Sequence, residues 1–564
     1  MPTANFSPDA ARPVRAGEYD RPAPARHQSR SAVIARHGVV ATSHPLAAQV
    51  GLDVLKAGGN AADAAIATNA MMGLVEPMSC GIGGDIFVIY WDAKSQKLYG
   101  LNGSGRSPYA LNRDVFKEKG LSEIPGSGPL AWSVPGCVDG WDALRSRFGT
   151  MELAQLLQPA IEHAEQGFPV SEIIGREWAN SLKKLSEWPD TAATYLPGGR
   201  APEIGELFRN PRLAASYRAV AQHGRDGYYK GPIAQKIVAF SEANGGYFSL
   251  KDFEDHSSTW VEPVSTKYRG YDVWELPPNG QGIAALQILN ILEGYDVRGM
   301  GRNSADFAHL FVEAKKLAYA DRATYYADPD FGPLPVAELI SKDYADRQRK
   351  RIDLKRAATD VPPGDPKLAR GDTIYLSVVD KDRNCCSLIQ SNFDSFGSRV
   401  VPGDVGFVIQ SRGSSFNLDE HHVNRLEPHK RPFHTIIPAF VTKDGKPWFS
   451  FGVMGGDMQP QGHVQVLVNM IDFGMDVQAA GDAARVRHSG SQTPEGEPMD
   501  SAGGKVAVES GVDSTVIEQL TQRGHRVERA VGAFGGYQGI MIDHAHGTLH
   551  GGTEPRKDGA AVGY

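Results

Sequence analysis

Residues 371–380, GDTIYLSVVD, mark the place where a proline- and charge-rich stretch gives way to a β-type run. The preceding residues 355–370, KRAATDVPPGDPKLAR, hold few apolar side chains and three prolines, which predicts an exposed and flexible segment. After residue 373 the pattern alternates, and a polar turn at 381–384 leads into a second run at 385–391, so a hairpin is expected. Thr373 is thus predicted to join a mobile connection to a rigid strand.

Thr373 is the predicted nucleophile of a hydrolytic reaction. A threonine hydroxyl is a weak nucleophile and needs a base to accept its proton. If the chain is cut after Asp372, the freed α-amino group, with a usual pKa of about 7.7–8.0, is partly neutral near pH 7 and supplies that base. Before the cut this nitrogen is an amide, so the precursor is expected to be inactive. For Thr373 alone, a β-branched residue that opens a strand is the alternative.

Short motifs in a fixed order accompany this strand along the chain. They are GGNAADAA at 58–65, EP at 76–77, GIGGD at 81–85, PG at 135–136, PP at 277–278, EA at 313–314, ADR at 320–322, FGS at 396–398, GF at 406–407 and EPR at 554–556. Together they resemble the γ-glutamyltransferases, a family of N-terminal-nucleophile hydrolases, over nearly the whole chain. The resemblance implies an α+β fold, a four-layer αββα sandwich with two central sheets between helices and Thr373 at the sheet edge.

The resemblance also implies the division of the chain and its reaction. Residues 1–32 form a polar N-terminal extension, 33–372 a large subunit and 373–564 a small subunit, released by cleavage before Thr373. The two subunits are then partners from one cleaved chain, and a small-molecule amide is the substrate. Thr373 is expected to form an acyl-enzyme from γ-glutamyl amides such as glutathione and to pass the acyl group to water or an amine. No cofactor is implied.

Three further catalytic residues are implied by the same resemblance. In FGVMGGD at 451–457, Gly455 and Gly456 match the positions that form the family's oxyanion hole, where backbone N–H groups stabilise the tetrahedral intermediate. A glycine turn after a strand is the alternative. Ser391 matches the hydroxyl that orients the nucleophile, and a buried, hydrogen-bonded strand serine is its alternative.

The predicted substrate pocket departs from the family pattern. A γ-glutamyl group carries a carboxylate and an ammonium, which call for a cation and an anion in the protein. Ser104 falls at the position of the family's arginine, and Arg106 lies two residues further on. Ser415 falls at the position of the family's aspartate, and Arg412 adds positive charge. The missing anion favours acyl groups without an α-amine, since a buried ammonium without a counter-ion is unfavourable.

His434 and Thr435 stand where the family usually has two serines that contact substrate, which predicts an altered pocket. A packed histidine at a strand edge is the alternative for His434.

The stretch 416–432 is shorter than the family's lid-bearing stretch, so a more open site that favours hydrolysis is expected. A γ-glutamyl amide is the first expected substrate, and an oxamate-like or N-acyl amide the second. A non-catalytic binding protein that is never cleaved is the alternative from another class.

Composition limits the class of molecule. With 564 residues, 41% of them hydrophobic, the chain predicts two domains or one large layered sandwich. A net charge of −7 argues against a nucleic-acid partner, and no apolar run is long enough for a membrane span.

The four cysteines lack metal-ligand spacing, and His421 with His422 lacks a carboxylate at helical spacing, so no metal is expected. Residues 1–32 lack the apolar core of a secretory signal, which predicts a cytoplasmic location.

Local patterns predict the individual elements. Ser43 is expected to cap a helix at 45–57, and Asn60 a second, alanine-rich helix that ends near residue 74. Further helices are predicted at 153–165, 232–243, 282–293, 305–327, 336–353, 461–472 and 514–522. Strands are predicted at 87–91, 97–101, 373–380, 385–391, 406–410, 436–442, 447–451, 525–530, 538–543 and 547–550.

Overall fold

A computed structural model describes residues 29–362 and 372–564, except for the side chains of Asp372 and Thr373. Most of the predicted N-terminal extension, residues 1–28, lies outside the described residues, as does 363–371 of the segment before Thr373. No helix in the two described ranges is long and apolar enough to cross a membrane.

The helices are α1 (Pro45–Lys56), α2 (Ala61–Val75), α3 (Arg113–Glu118), α4 (Cys137–Phe148), α5 (Leu153–Gln166), α6 (Glu172–Asn180), α7 (Leu182–Leu185), α8 (Pro189–Tyr195), α9 (Pro211–Tyr229), α10 (Pro232–Ala243), α11 (Leu250–Glu254), α12 (Gly282–Glu293), α13 (Val297–Met300), α14 (Ala305–Tyr325), α15 (Val336–Leu339), α16 (Lys342–Arg349), α17 (Met458–Ile471), α18 (Val477–Asp482) and α19 (Ser514–Gln522). Short 3₁₀ turns occur at Pro129–Ala131, Pro197–Gly199, Pro329–Phe331 and Arg412–Ser415.

The strands are β1 (Val33–Ala35), β2 (Val39–Thr42), β3 (Asp85–Asp92), β4 (Lys97–Gly103), β5 (Phe168–Pro169), β6 (Leu207–Phe208), β7 (Thr259–Val261), β8 (Val264–Tyr268), β9 (Tyr271–Glu275), β10 (Asp372–Val379), β11 (Cys385–Phe393), β12 (Ala439–Lys443), β13 (Lys446–Met454), β14 (Val486–Ser489), β15 (Lys505–Val508), β16 (Val527–Arg529), β17 (Gly536–Asp543), β18 (Thr548–Thr553) and β19 (Ala560–Gly563).

Two seven-stranded antiparallel sheets lie at the centre of the molecule. One has the order β1-β18-β17-β13-β12-β9-β8 and the other β19-β2-β10-β11-β3-β4-β7. A three-stranded sheet, β14-β15-β16, and the pair β5-β6 complete the described strands. Both large sheets combine strands from before and after residue 372, so neither could form from one predicted subunit alone.

Three hydrophobic clusters separate the four layers. Along β10, Leu376 faces the cluster that contains α1 and α2, while Tyr375 faces the cluster between the two sheets. The third cluster packs α12, α14 and α17 onto the outer face of the other sheet. Cys385 and Cys386 belong to different clusters, as expected for neighbours on one strand. The predicted αββα sandwich of the α+β class is confirmed.

The alanine-rich helix α2 lies inside the molecule because small side chains allow close packing. Every residue from Ala61 to Val75 is buried, and Asn60 caps the helix as predicted, with Asp63 completing a capping box. The helix crosses α1 so closely that a Cβ added at Gly51 would lie 2.1 Å from the Thr68 hydroxyl oxygen. This packing supports the sheet face that carries β10.

Three local predictions are wrong. His44, rather than Ser43, caps α1, because the Ser43 hydroxyl donates to Glu76 at 2.6 Å instead. Residues 406–410 form no strand, since Gly406 adopts a φ of +81° against Arg212 and Leu213. The helix predicted at 336–353 is two short helices, α15 and α16, because Ser341 caps a new helix within it.

The position expected for Thr373 at the sheet edge also needs correction. β10 pairs with β11 on one side and with β2 on the other, so it is an interior strand. β10 starts at Asp372, so Thr373 is the second residue of an interior strand. The backbone of Asp372 pairs with Phe393, and the register shifts between Asp372 and Ile374. The strand start pairs with β11 alone, because the pairing with β2 begins at Leu376.

Candidate active site

The start of β10 meets the end of β13 across the interface between the two sheets. The Ser377 hydroxyl donates to the Ser450 hydroxyl at 2.7 Å, and a Cβ added at Gly452 would lie 2.5 Å from the Tyr375 ring. A move of two residues from Ser377 towards the start of β10 therefore corresponds to a move of two residues from Ser450 towards the end of β13. Continuing this step, we expect the backbone of Thr373 to lie near Met454 and the turn that follows it.

That turn consists of Gly455 and Gly456, which have φ values of +118° and +54°. Their N–H groups donate no hydrogen bond within the part of the chain that the structure describes. A Cβ added at Gly455 would lie 3.0 Å from the Cα of Gly535, so a larger residue would have to displace the backbone. Two adjacent, unused N–H donors beside a strand start are an arrangement that can stabilise an oxyanion.

A buried hydrogen-bond network fixes the glycine turn. The amide nitrogen of Gln281 donates to the carbonyl oxygen of Gly456 at 2.9 Å and to that of Thr435 at 2.7 Å. Arg322 is fully buried and donates through Nη1 to Gln281 and to the Asp457 carboxylate, both at 2.5 Å. These contacts hold the peptide groups of the turn in one orientation.

No sequence pattern predicted a role for Gln281, Arg322 or Asp457. Arg322 lies within the ADR motif at 320–322 and Asp457 ends the FGVMGGD stretch, so both were within recognised motifs. Arg322 lies on α14, where nearly all residues from Ala305 to Ala323 are buried. A charged residue on such a helix is a signal that the sequence contained. Its partners, however, come from distant parts of the chain and had no local signature.

Ser391 and Arg412 lie beside the start of β10. The Ser391 hydroxyl oxygen accepts from the Phe393 N–H at 2.9 Å and from Arg412 Nη2 at 3.4 Å. Arg412 also donates to the Thr435 hydroxyl at 3.0 Å, and its guanidinium lies 3.9 Å above the Phe393 ring. Burial lowers the pKa of Arg412 to about 9, with the charges of Asp85 and Glu495 opposing the shift. It stays a cation at neutral pH.

His434 is held in the core by Asp85. Its Nε2 donates to the Asp85 carboxylate at 3.0 Å, and its Nδ1 accepts from the Ile436 N–H at 3.3 Å, so both ring nitrogens are engaged. Burial, and then the charge of Arg412, lower the pKa of His434 well below its usual value, so the ring is neutral. Burial raises the pKa of Asp85 to about 7, against hydrogen bonds from Gln410 and backbone N–H groups. This placement of His434 matches the alternative given for it above, a packed histidine instead of a residue that contacts substrate.

The other predicted substrate-binding residues are Ser104, Arg106 and Ser415. Ser104 is buried and donates to the side chain of Asn102 at 2.6 Å. Arg106 donates to the carbonyl oxygen of Ser257 at 3.3 Å and pairs with Asp330 at 3.7 Å. The Ser415 hydroxyl is buried and has no hydrogen-bond partner among the described residues. Neither Ser104 nor Arg106 contributes to the cleft described next.

A cleft of about 1230 Å³ opens beside this site. Its lining includes Phe393, Ser411 and Ser414, which flank the Ser391 and Arg412 cluster, and Asp457 next to the glycine turn. Carboxylates prevail among its charged lining residues, which are Glu123, Asp394, Asp419, Asp457, Arg487, Glu495, Glu497, Asp500 and Lys505. The volume suits a small molecule larger than a single amino acid.

His309, Glu313 and His525 form one cluster of potential metal ligands, and none of the three lines the cleft. His309 Nδ1 lies 2.7 Å from His525 Nε2, and His309 Nε2 lies 2.8 Å from the carbonyl oxygen of Asp353. Glu313, the third group, accepts from the buried Lys316 ammonium at 2.8 Å. The ligand atoms are thus occupied by hydrogen bonds, and a neighbouring cation repels a metal ion. The cluster does not fit a metal site.

Comparison with known proteins identifies related chains over the full fold. The family model described as Gamma-glutamyltranspeptidase matches residues 47–564. The chain is 40% identical over 538 residues to the glutathione hydrolase-like YwrD proenzyme of Bacillus subtilis strain 168, covering 94% of this chain and 99% of that protein. It is 33% identical over 543 residues to the oxamate amidohydrolase proenzyme of Klebsiella pneumoniae, covering 95% and 100%. Among solved structures, the cephalosporin acylase from Bacillus halodurans superimposes with a TM-score of 0.89 at 42% identity, covering 98% and 99%.

Proposed function

The chain belongs to the gamma-glutamyltranspeptidase family, and we propose that it cuts itself before Thr373 and then hydrolyses small amides through that residue. It is an enzyme of a family whose similar members are named as hydrolases, acylases and proenzymes. The proposal is carried by the two unused N–H groups of Gly455 and Gly456, in the turn that ends β13, the strand that contacts β10 through Ser377 and Ser450. A nucleophile at this strand start and an oxyanion site at this turn are what acyl transfer needs.

The reaction follows from these positions. The free α-amine of Thr373 takes the proton from its own hydroxyl, whose oxygen attacks the amide carbon of the substrate. The negative charge that develops on the carbonyl oxygen is stabilised by the N–H groups of Gly455 and Gly456. The protonated amine then gives its proton to the leaving nitrogen, and an acyl-enzyme remains. Water, deprotonated by the same amine, attacks the ester and releases the acid.

The charges at the site favour an acyl group that carries a carboxylate. Arg412 is a buried cation beside Ser391, and its Nε has no hydrogen-bond acceptor among the described residues. A substrate carboxylate could accept from this group without displacing the bonds to Ser391 and Thr435. A γ-glutamyl amide such as glutathione is the first candidate substrate.

A second candidate is an oxamate-like or N-acyl amide. The observation in its favour is Ser415, an uncharged residue at the position where the sequence resemblance expects an aspartate. The names of similar proteins include an oxamate amidohydrolase and a cephalosporin acylase, which supports a range of acyl groups within the family. The open cleft of about 1230 Å³ leaves room for water, so hydrolysis is favoured over transfer to an amine.

Denaturing gels and N-terminal sequencing test the cleavage. The wild-type chain of 60.9 kDa is expected to yield two fragments, residues 1–372 and 373–564, the second beginning Thr-Ile-Tyr-Leu. Thr373→Ala removes the hydroxyl and should stay intact, whereas Thr373→Ser, the matched control, retains a hydroxyl and should still be cut. Cleavage of Thr373→Ala at the same bond would refute the assignment.

Mass spectrometry tests the second step. Cleaved protein mixed with γ-glutamyl, oxamate and N-acyl amides should acquire the mass of one acyl group on the fragment that begins with Thr373. An adduct on another residue, or turnover by the uncleaved Thr373→Ala chain, would contradict the mechanism.

A further inference from the structure

The cleft begins at the reaction centre. Phe393, which lines it, is the backbone pairing partner of Asp372, the residue before the nucleophile. Asp457, also in the lining, directly follows the glycine turn. With about 1230 Å³ the cleft is larger than one small acyl group needs. Because Ser391 and Arg412 are buried and do not line it, the cleft is left to the other half of the amide, the amine portion.

The lining of one wall of the cleft carries only negative charge. This wall consists of the segments 122–126 and 411–419, which pack together in one hydrophobic cluster. Its charged lining residues are Glu123 and Asp419, both exposed. Within the described ranges Glu123 accepts no hydrogen bond, and Asp419 accepts only from the His421 N–H, at 2.9 Å. Since neither carboxylate has a cationic partner there, the wall attracts a positive charge on a ligand.

The rest of the lining does not neutralise this wall. In the described part of the chain its cations are Arg487 and Lys505, against seven carboxylates in the lining as a whole. Lys505 already pairs with Glu528 at 3.6 Å. Glu495 adds a carboxylate whose two oxygens accept no hydrogen bond from a described residue. The cleft therefore has an excess of negative charge that a cationic ligand would balance.

A buried hydroxyl group lies at the inner end of the same wall. Ser411 is fully buried yet lines the cleft, and its backbone N–H donates to the carbonyl oxygen of Asn392, the neighbour of Phe393. Its hydroxyl group has no hydrogen-bond partner among the residues that the structure describes. A buried polar group without a partner is costly unless a bound molecule satisfies it. Ser411 thus offers a hydrogen bond to a ligand beside the reaction centre.

We propose that the cleft binds the amine portion of the substrate, and that Glu123 and Asp419 select amine portions that carry an ammonium group. The proposal rests on the proposed function and names its leaving group: a diamine of which one nitrogen is acylated and the other is charged. The Ser411 hydroxyl binds the groups nearest the scissile bond, and the two carboxylates bind the distant ammonium. Glutathione, whose amine portion ends in a carboxylate, ranks below such an amide.

The experiment compares two substrates that differ only in the distant group. The γ-glutamyl amides of putrescine and of butylamine share the acyl group and the scissile bond, but only the first retains an ammonium on its amine portion. The wild type should hydrolyse the putrescine amide with a kcat/KM about 3- to 10-fold higher, since exposed charge pairs contribute modestly. Equal values for the two amides in the wild type would overturn the proposal.

The variant Glu123→Gln/Asp419→Asn keeps the shape of the wall and removes its charge. It should lower kcat/KM for the putrescine amide about 3- to 10-fold and leave the butylamide within about twofold. Ser411→Ala should lower both values by a similar factor, because the two substrates share the groups nearest the scissile bond. Equal losses on both substrates in the charge variant would show that the carboxylates only support the wall, and would refute their role in selection.

Salt provides a readout that a structural role would not move. The preference of the wild type for the putrescine amide should shrink as the salt concentration rises from about 0.05 M to about 0.5 M, because salt screens exposed charges. In Glu123→Gln/Asp419→Asn the ratio of the two values should stay flat. A wild-type preference that salt leaves unchanged would not arise from these carboxylates, and the proposal would fail.

A second double variant, Glu118→Gln/Glu420→Gln, controls for net charge. Both residues are exposed carboxylates close in sequence to the charged wall, and neither lines the cleft. The variant removes two negative charges, as Glu123→Gln/Asp419→Asn does, and should retain the wild-type preference. Loss of the preference in this control would assign it to the charge of the whole molecule and would contradict a selective wall.

Binding without turnover separates this proposal from the proposed function. Calorimetry on the cleaved wild-type protein uses N-acetylputrescine and N-butylacetamide, which differ in the same ammonium and need not be hydrolysed. N-acetylputrescine should bind at least about threefold more tightly, and Glu123→Gln/Asp419→Asn should lose that preference. Equal binding by the wild type would exclude a cation-selective cleft, whatever acyl group the enzyme accepts. A binding preference without hydrolysis of either γ-glutamyl amide would support the cleft and count against the proposed acyl group alone.

Discussion

Gly455 occupies a backbone conformation that other residues adopt only with strain, with a φ of +118°. The space around it is also closed, because the Cα of Gly535 lies 3.0 Å from where a Cβ would be. At this residue we expect the backbone itself to be the functional group, since its N–H donates no hydrogen bond among the described residues. The glycine is therefore needed for both its shape and its free donor.

Gly455→Ala should lower kcat about 10²- to 10³-fold, because the added methyl group displaces an oxyanion donor. The KM should change little, since the donor acts mainly in the transition state. Steady-state kinetics on the cleaved fraction checks this. Gly474→Ala is the control: it has a φ of +67° but nothing within 4 Å of its Cβ, so it should cost about 1 kcal/mol of stability and no activity. Wild-type kcat in Gly455→Ala would contradict the oxyanion assignment.

Arg322 should be more important for stability than any exposed ion pair. Arg322→Met leaves the Asp457 carboxylate without its buried partner, which should lower the free energy of unfolding by about 3–5 kcal/mol. Urea denaturation measures the change. Arg347→Met, which breaks an exposed pair with Glu338, is the control and should cost less than about 1 kcal/mol. Similar losses in the two variants would show that Arg322 is not a buried anchor.

At the scale of elements, one carboxylate connects the start of helix α2 to a neighbouring segment. Asp63 accepts from the Asn60 N–H at 3.0 Å within the capping box. It also accepts from the Thr150 N–H at 3.0 Å and hydroxyl at 2.6 Å, and from the Met151 N–H at 3.2 Å. The start of α2 is thereby joined to the segment between α4 and α5.

Asp63→Ala should lower the free energy of unfolding by about 3 kcal/mol, because it leaves a buried site and several partly buried donors without an acceptor. Thermal and urea unfolding measure the loss. Asp53→Ala removes a carboxylate from the exposed face of α1 and should change stability by less than about 0.5 kcal/mol. If both variants were equally stable, the carboxylate would not be the connection that the structure indicates.

At the scale of the whole molecule, the two predicted subunits are interleaved strand by strand. β10 and β11 lie between β2 and β3 in one sheet, and β12 pairs with β9 in the other. Separation after cleavage would expose unpaired strand edges and the hydrophobic clusters between the layers. Cleavage is therefore expected to change one bond and leave the fold intact.

The cleaved protein should run as two bands on a denaturing gel but elute as one species on native size exclusion, at the same volume as the uncleaved Thr373→Ala chain. The fragments should separate only at denaturant concentrations that unfold the sheets. Independent elution of folded fragments in native buffer would contradict the shared-sheet architecture.

Local sequence patterns predicted the bounds of several helices. The helices predicted at 232–243, 282–293 and 514–522 have the same bounds as α10, α12 and α19. Helix α9 was not predicted, and Gly224 interrupts it with a non-helical conformation. The short strands β1, β2 and β19 were also not predicted, because they are stabilised by pairing with distant strands rather than by their own residues.

The sequence by itself determined the family, the fold class and the chemistry proposed for Thr373, since these depend on residue types and short motifs in a fixed order. Only the tertiary structure decided which residues surround that position. It joined Arg322 to Asp457 beside the turn that contains Gly455, directed Arg106 towards Asp330 and placed Glu495 in the cleft. The physical reason is that local propensities act within a few residues, whereas these contacts depend on how two sheets from separate parts of the chain pack together.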